Sequence, residues 1–136
     1  MARIVLTNAY VTVNSVDVSD HVASVTLNSS IDVVETTAFS TTAARTRIGG
    51  LADNSISLEF HQDYATGEVE ATIYPLLGNT TTVIVKPNGS TTSATNPAYT
   101  ATVLVSEWTP LNGAVGELAT ASVTWPVSGA ITKATA

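Results

Sequence analysis

The chain predicts a mainly β fold, an antiparallel β-sandwich or barrel with one flanking α-helix, and three observations carry that expectation. Segments such as Ser55–Phe60 and Thr120–Trp125 alternate polar and apolar residues with a period of two, which turns one face to a core and the other to water or a partner. Thr, Val, Ser and Ala, residues suited to a pleated and half-buried surface, recur throughout. Only one stretch, Val69–Gly78, changes to a helical period.

Tyr10–Val13 and Ser24–Leu27 read as strands separated by the turn formers of Asn14–His21, and Ile31–Val34 extends the second into a long, bent strand. Glu35–Ile48 is Thr/Ala-rich without apolar periodicity and is expected to be a long loop or a projecting hairpin, closed by a turn at Gly49-Gly50. Ile56, Leu58 and Phe60 mark the next strand. Val69, Ile73, Leu76 and Leu77 then fall on one helical face, with Gly78 placed to stop the helix and Pro75 to break it near Tyr74. Thr80–Lys86 is a strand, Pro87–Gly89 a turn and Ser90–Asn96 a polar loop. Tyr99–Trp108 and Ala119–Trp125 are strands joined through Leu111–Gly116, and residues after Pro126 form a tail or a short edge strand.

At 136 residues the chain is read as one domain, 1–136, with the long loop at about 35–50. Charged residues make up 12% of it, against about 25% in an ordinary domain, which points to a surface turned largely toward other subunits. The net charge of −6 repels phosphate and disfavours specific nucleic-acid binding. No apolar run reaches the roughly 18 residues of a membrane span, so no membrane anchor is expected. Met1–Asn8 is too short and polar for a secretory signal.

Candidates for chemistry fail one by one. His21 and His61 lie near Asp20 and Asp63 in sequence, yet no spacing supplies three or four convergent metal ligands, so both read as surface or hydrogen-bonded histidines. No nucleophile elbow or phosphate loop occurs, and Gly113 and Gly116 read as turn residues. Glu68 and Glu70, two apart on the helix, point in different directions and make no carboxylate pair. Trp108 and Trp125 are either packing residues or a platform for sugar rings, with packing favoured. Tyr74, off the apolar arc, is a subunit contact or an ordinary surface tyrosine. No catalytic residue, cofactor, metal or small-molecule substrate is expected.

The ordered run of Asp17–Val22 into Ser24–Leu27, Ala44–Leu51 into Ser55–Tyr64, Val69–Gly78, Asn96–Thr100, Leu111–Gly116 and Ser122–Trp125 resembles the tail tube proteins of long-tailed, non-contractile bacteriophages, particularly short ones from phages of actinobacteria. The likeness covers roughly residues 10–132. It implies a virion protein assembled in the host bacterial cytoplasm as stacked hexameric rings. These rings would surround a channel for non-specific passage of double-stranded DNA and meet other tail proteins at the tube ends. It also implies that the loop at Glu35–Ile48 reaches neighbouring subunits. The competing reading is a bacterial surface β-sandwich, an adhesin, immunoglobulin-like or carbohydrate-binding module, against which the lack of a secretory signal counts.

Arg45 and Arg47, two of the five basic residues, lie two apart in the loop. If that segment is extended, both project to one side. They are then either solvated or paired with carboxylates of a neighbouring subunit, for which Glu68, Glu70 and Glu117 are the candidates.

Overall fold

The computed structural model describes residues 3–136, and its strands form two antiparallel sheets. The elements in chain order are β1 (Tyr10–Val13), β2 (Val16–Asp17), β3 (Val22–Glu35), β4 (Arg47–His61), α1 (Val69–Ile73), β5 (Thr80–Lys86), β6 (Ala98–Leu104), β7 (Thr120–Pro126) and β8 (Thr132–Ala134). Five strands pair in the order β2-β1-β5-β6-β8 and three in the order β3-β4-β7. The expected sandwich with one helix is the fold observed. Residues after Pro126 supply the short edge strand β8, which pairs with β6 through Ala98↔Ala134.

Alternation explains the core. Ile56, Leu58 and Phe60 of β4 face Val11, Val13, Val83, Val85 and Val103 of the other sheet, and all are buried. Ala121, Val123 and Trp125 of β7 continue the same layer. Both tryptophans pack: Phe60 meets Trp108 edge-on at 5.6 Å and Trp125 in a tilted contact at 6.4 Å. Their indole N–H groups are satisfied, Trp108 donating to Glu70 Oε2 at 2.6 Å and Trp125 to the Glu107 carbonyl at 2.9 Å. A buried Trp125 presents no ring face to a sugar.

Local chemistry sets the turns. Asn14 and Ser15 both adopt positive φ, 51° and 66°, as a two-residue hairpin between twisted strands requires. The helix stops at Ile73 and continues as a single 3-10 turn, Tyr74–Leu76, because Pro75 interrupts the α ladder. Gly78, at φ 87°, then turns the chain into β5. The 3-10 turn rotates Leu77 off the core, leaving it exposed where an ideal helix would bury it.

Two expectations need correction. The strand expected over Tyr99–Trp108 ends at Leu104. The Val105 amide donates to the Asn79 carbonyl and its own carbonyl accepts from Gly78, so the chain leaves the ladder there. Gly49-Gly50 is not a turn but part of β4. A Cβ on Gly49 would lie 3.1 Å from Ile31 Cγ2, and one on Gly50 would lie 2.9 Å from Val34 Cγ2. The glycines make room for branched neighbours beside the irregularity in register between Ile31 and Val33.

Val69 and Ile73 of α1 are fully buried. Ile73→Asp forces an unpaired carboxylate into this layer and is expected to cost about 4 kcal/mol or more. The melting temperature should fall by at least about 10 °C. An unchanged melting temperature would show that α1 does not seal the sandwich.

Candidate assembly interface

β3 and β4 are 14 and 15 residues long, whereas β5, β6 and β7 are 7 each. The last residue of β3 against the core is Leu27, paired with Ile56. Ser29, paired with the buried Asn54, still meets the body, and the six residues beyond it carry the hairpin roughly 20 Å past the sandwich at the usual rise per residue. Asn54 roots this arm: it is buried, accepts from Ser29 Oγ at 2.8 Å, and its carbonyl accepts from the Val127 amide at 2.9 Å.

Beyond Asn54 the arm is two strands with solvent on both faces. Register pairs Ile31 with Ala52 and Val34 with Ile48, and neighbouring residues on a strand face opposite ways. Ile31, Val33, Ile48 and Leu51 are between 53% and 80% exposed, and Phe39 beyond the strands is fully exposed. Residues 36–46 join the strands, and threonine hydroxyls lace their base. Thr36 and Thr46 are bonded through their side chains at 2.9 Å, and the Thr46 amide donates to Thr37 Oγ1 at 3.0 Å. Two-stranded ribbons are marginal in water without a surface to pack on. β3 also forms an edge of its sheet, leaving its outer backbone groups unpaired within this sheet.

The structure sorts the charged candidates. Arg47 lies opposite Glu35 in the ladder, and Arg45 Nη1 approaches Glu35 Oε1 at 3.7 Å, an exposed pair within the arm itself. Neither arginine pairs with Glu68, Glu70 or Glu117 inside one chain, among the described residues. Glu70 is committed to Trp108 and to Gln62 Nε2 at 3.3 Å. Glu68 precedes α1, and Glu117 lies in the exposed loop between β6 and β7, where Leu111, Val115 and Leu118 are also bare. Tyr74 is exposed on the 3-10 turn.

One cluster was not legible in the sequence. Asp63 lies near His61 in the chain but bonds His21 instead, across 42 residues. His21 holds Asp63 Oδ2 at 2.8 Å through Nε2 and Asp20 Oδ1 at 2.8 Å through Nδ1, with Glu68 Oε2 at 3.7 Å. Sequence spacing predicts no convergent ligands, yet Asp20, His21 and Glu68 each bring one possible ligand atom within 4.8 Å of the others. With Asp63, three carboxylates surround a single imidazole that clamps the Ser19–His21 turn to the segment before α1. His61 Nδ1 is buried without a hydrogen-bond partner among the described residues. No helix of the described residues is long and apolar enough to cross a membrane.

No protein-family model and no curated protein matches the sequence. Solved structures do share the fold. One is a chain of the virion of a native gene transfer agent particle, with a TM-score of 0.73 and 13% identity over 93% of this chain and 95% of that one. Another belongs to the tail of an empty gene transfer agent particle with C6 symmetry, at 0.66 and 17% over 85% and 83%. A third comes from the six-fold symmetrised baseplate of the anti-feeding prophage, at 0.61 and 8% over 99% and 98%. At these identities the likeness is one of fold.

The clamp makes stability depend on pH. The Asp20 carboxylate on Nδ1, joined by Asp63 on Nε2, raises His21 above the ordinary histidine value although burial opposes it. The Ala65 amide, and then His21, lower Asp63. The histidine's contribution is therefore complete below about pH 6.5 and is lost as pH rises through its raised folded value. That of Asp63 is present above the ordinary aspartate range and is lost as pH falls through its lowered value. Melting curves between pH 5.5 and 8.5 should show a decline on the alkaline side that His21→Gln abolishes; the same decline in the variant would exclude the clamp.

Proposed function

We propose that this chain is a structural subunit of a phage-type tail, polymerising as stacked rings, six subunits each, into a tube that conducts DNA. The observation that carries the reading is the arm: a chain that extends a ribbon with bare apolar faces beyond its own core has prepared a contact that only another molecule can complete. The similarity in fold to chains of six-fold tail and baseplate particles supports it. A closed ring also consumes the open edge of β3, which on a free chain invites uncontrolled pairing. The resemblance seen in the sequence, to the non-contractile, actinobacterial-phage type of tube, gives the subclass. Such a tube is assembled in the bacterial cytoplasm, becomes part of the virion and meets other tail proteins at its ends.

Acidity suits a conduit. Double-stranded DNA carries about one negative charge per 1.7 Å of axis, and each cation facing it adds a counterion-release term that favours sticking. Five basic residues against 11 acidic leave little to hold a passing duplex. Gel assays at low salt should show no retardation of duplex DNA by the assembled protein; submicromolar binding that weakens steeply with salt would contradict passive conduction.

Arg45 and Arg47 bring positive charge to the far end of the arm, where a neighbour's exposed carboxylates can meet them. With Glu70 engaged by Trp108 and Glu68 beside His21, Glu117 is the better-placed partner. A single exposed pair contributes roughly 0–1 kcal/mol, but the contact recurs at every subunit. Changing both arginines to Glu should leave circular dichroism native-like. In sedimentation velocity the variant should stay small at concentrations where the unaltered chain forms large assemblies. Normal assembly by the double variant at physiological salt would remove this contact from the account.

A further inference from the structure

We propose that the apolar groove at the open side of the sandwich is the receptor for Phe39 from the arm of a second copy of this chain, an inference that rests on the assembly proposed above. The groove encloses about 520 Å³ and runs between β3 and the other sheet, with Val25, Leu27, Val85, Tyr99 and Ile131 in its walls. Among the described residues, Lys86 and Lys133 are the only charged ones lining it. Neither lysine pairs with a carboxylate among the described residues; their ammonium groups lie over Tyr10 and Tyr99, at 4.5 and 6.0 Å from the ring centroids. The site is therefore a greasy slot with a cationic rim, on a molecule that is otherwise acidic.

The arm is its chemical complement. The chain has two phenylalanines, one of which, Phe60, is at the centre of the core while Phe39 is wholly in solvent. An aromatic ring so presented is the residue type that anchors interfaces when a pocket receives it. On the strands leading to it Asp32 and Asp53 are opposite in sign to the groove's rim, while Glu35 is paired with Arg45. With Arg47 the arm keeps a net charge of −1, so the apolar ring and not charge is the main determinant of the contact. Phe39 cannot fill the groove of its own chain. Leu27 and Ser29 lie in the groove wall, and six further strand residues, about 20 Å at the usual rise, separate Ser29 from the loop that carries Phe39. The occupant must come from another copy. A contact in which the arm of one chain enters the groove of the next is head-to-tail, and such contacts propagate into rings or helical stacks.

The chain contains no cysteine, so introduced thiols report the contact directly. Equal amounts of Ser40→Cys chains, which keep Phe39, and Ile131→Cys chains would be co-assembled and oxidised, with Ser40→Cys and Ser122→Cys as the control pair, Ser122 lying on the outer face of the other sheet. Covalent dimers should form in the first mixture and not in the second. Phe39→Ser, an exposed substitution that leaves the core intact, should raise the concentration needed for assembly by about 30-fold, the effect of truncating an aromatic anchor. If assemblies form as usual while dimers are absent and Phe39→Ser behaves like the unaltered chain, the groove contact is wrong and the assembly reading survives. If no assemblies form under any condition, both fail. Dimers in both mixtures at equal yield would reflect random collision and also overturn the proposal.

Discussion

The mismatch between long strands and a short core governs this molecule. β3 and β4 are about twice the length of the strands they pack among, so one half of the hairpin belongs to the sandwich and the other half to no part of its own chain. On the inner half, alternation buries Ile56, Leu58 and Phe60 and exposes their neighbours. On the outer half, the same strands place apolar side chains on both faces with nothing to cover them. A hydrophobic surface of that kind is costly to leave in water and cheap to bury against a partner.

The other features follow from having one end anchored and the other exposed. Asn54 fixes the root by satisfying polar groups where the two sheets part. Glycine at 49 and 50 lets the two strands stay close where Ile31 and Val34 crowd the ribbon. Threonine hydroxyls hold the base of the loop that joins them, and Glu35 steadies Arg45 at the same level. At the opposite side of the body, α1 and the His21 clamp close the sandwich, so the body is held together independently of the arm. That separation is what lets arm variants be expected to fold.

Much of the sandwich was legible in the sequence because period-two patterning is a local signal. Thr80–Lys86 is found over the residues expected, and Pro75 and Gly78 act where their backbone chemistry demands. Less legible was whatever depends on pairing at a distance. Glycines usually signal turns, and only the cross-strand neighbours Ile31 and Val34 reveal why Gly49 and Gly50 sit within a strand. The partner of Asp63 is 42 residues away, so proximity in sequence pointed to His61 instead of His21. The strand expected to reach Trp108 was overextended because apolar residues continue past Leu104, although Val105 bonds to the turn before β5 and not to a ladder. The stretch at 35–48 was open between a loop and a projecting hairpin. The strands run to Glu35 and resume at Arg47, which makes the arm a hairpin tipped by residues 36–46.

The central claim is that the arm is a joint between subunits, and electron microscopy of the purified full chain at high concentration tests it most directly. Averaged images should contain six-fold rings or tubes, and maps of them should bury residues 28–53 against a neighbouring subunit. Dispersed single chains at every concentration, or a tube in which those residues project freely into solvent, would contradict it.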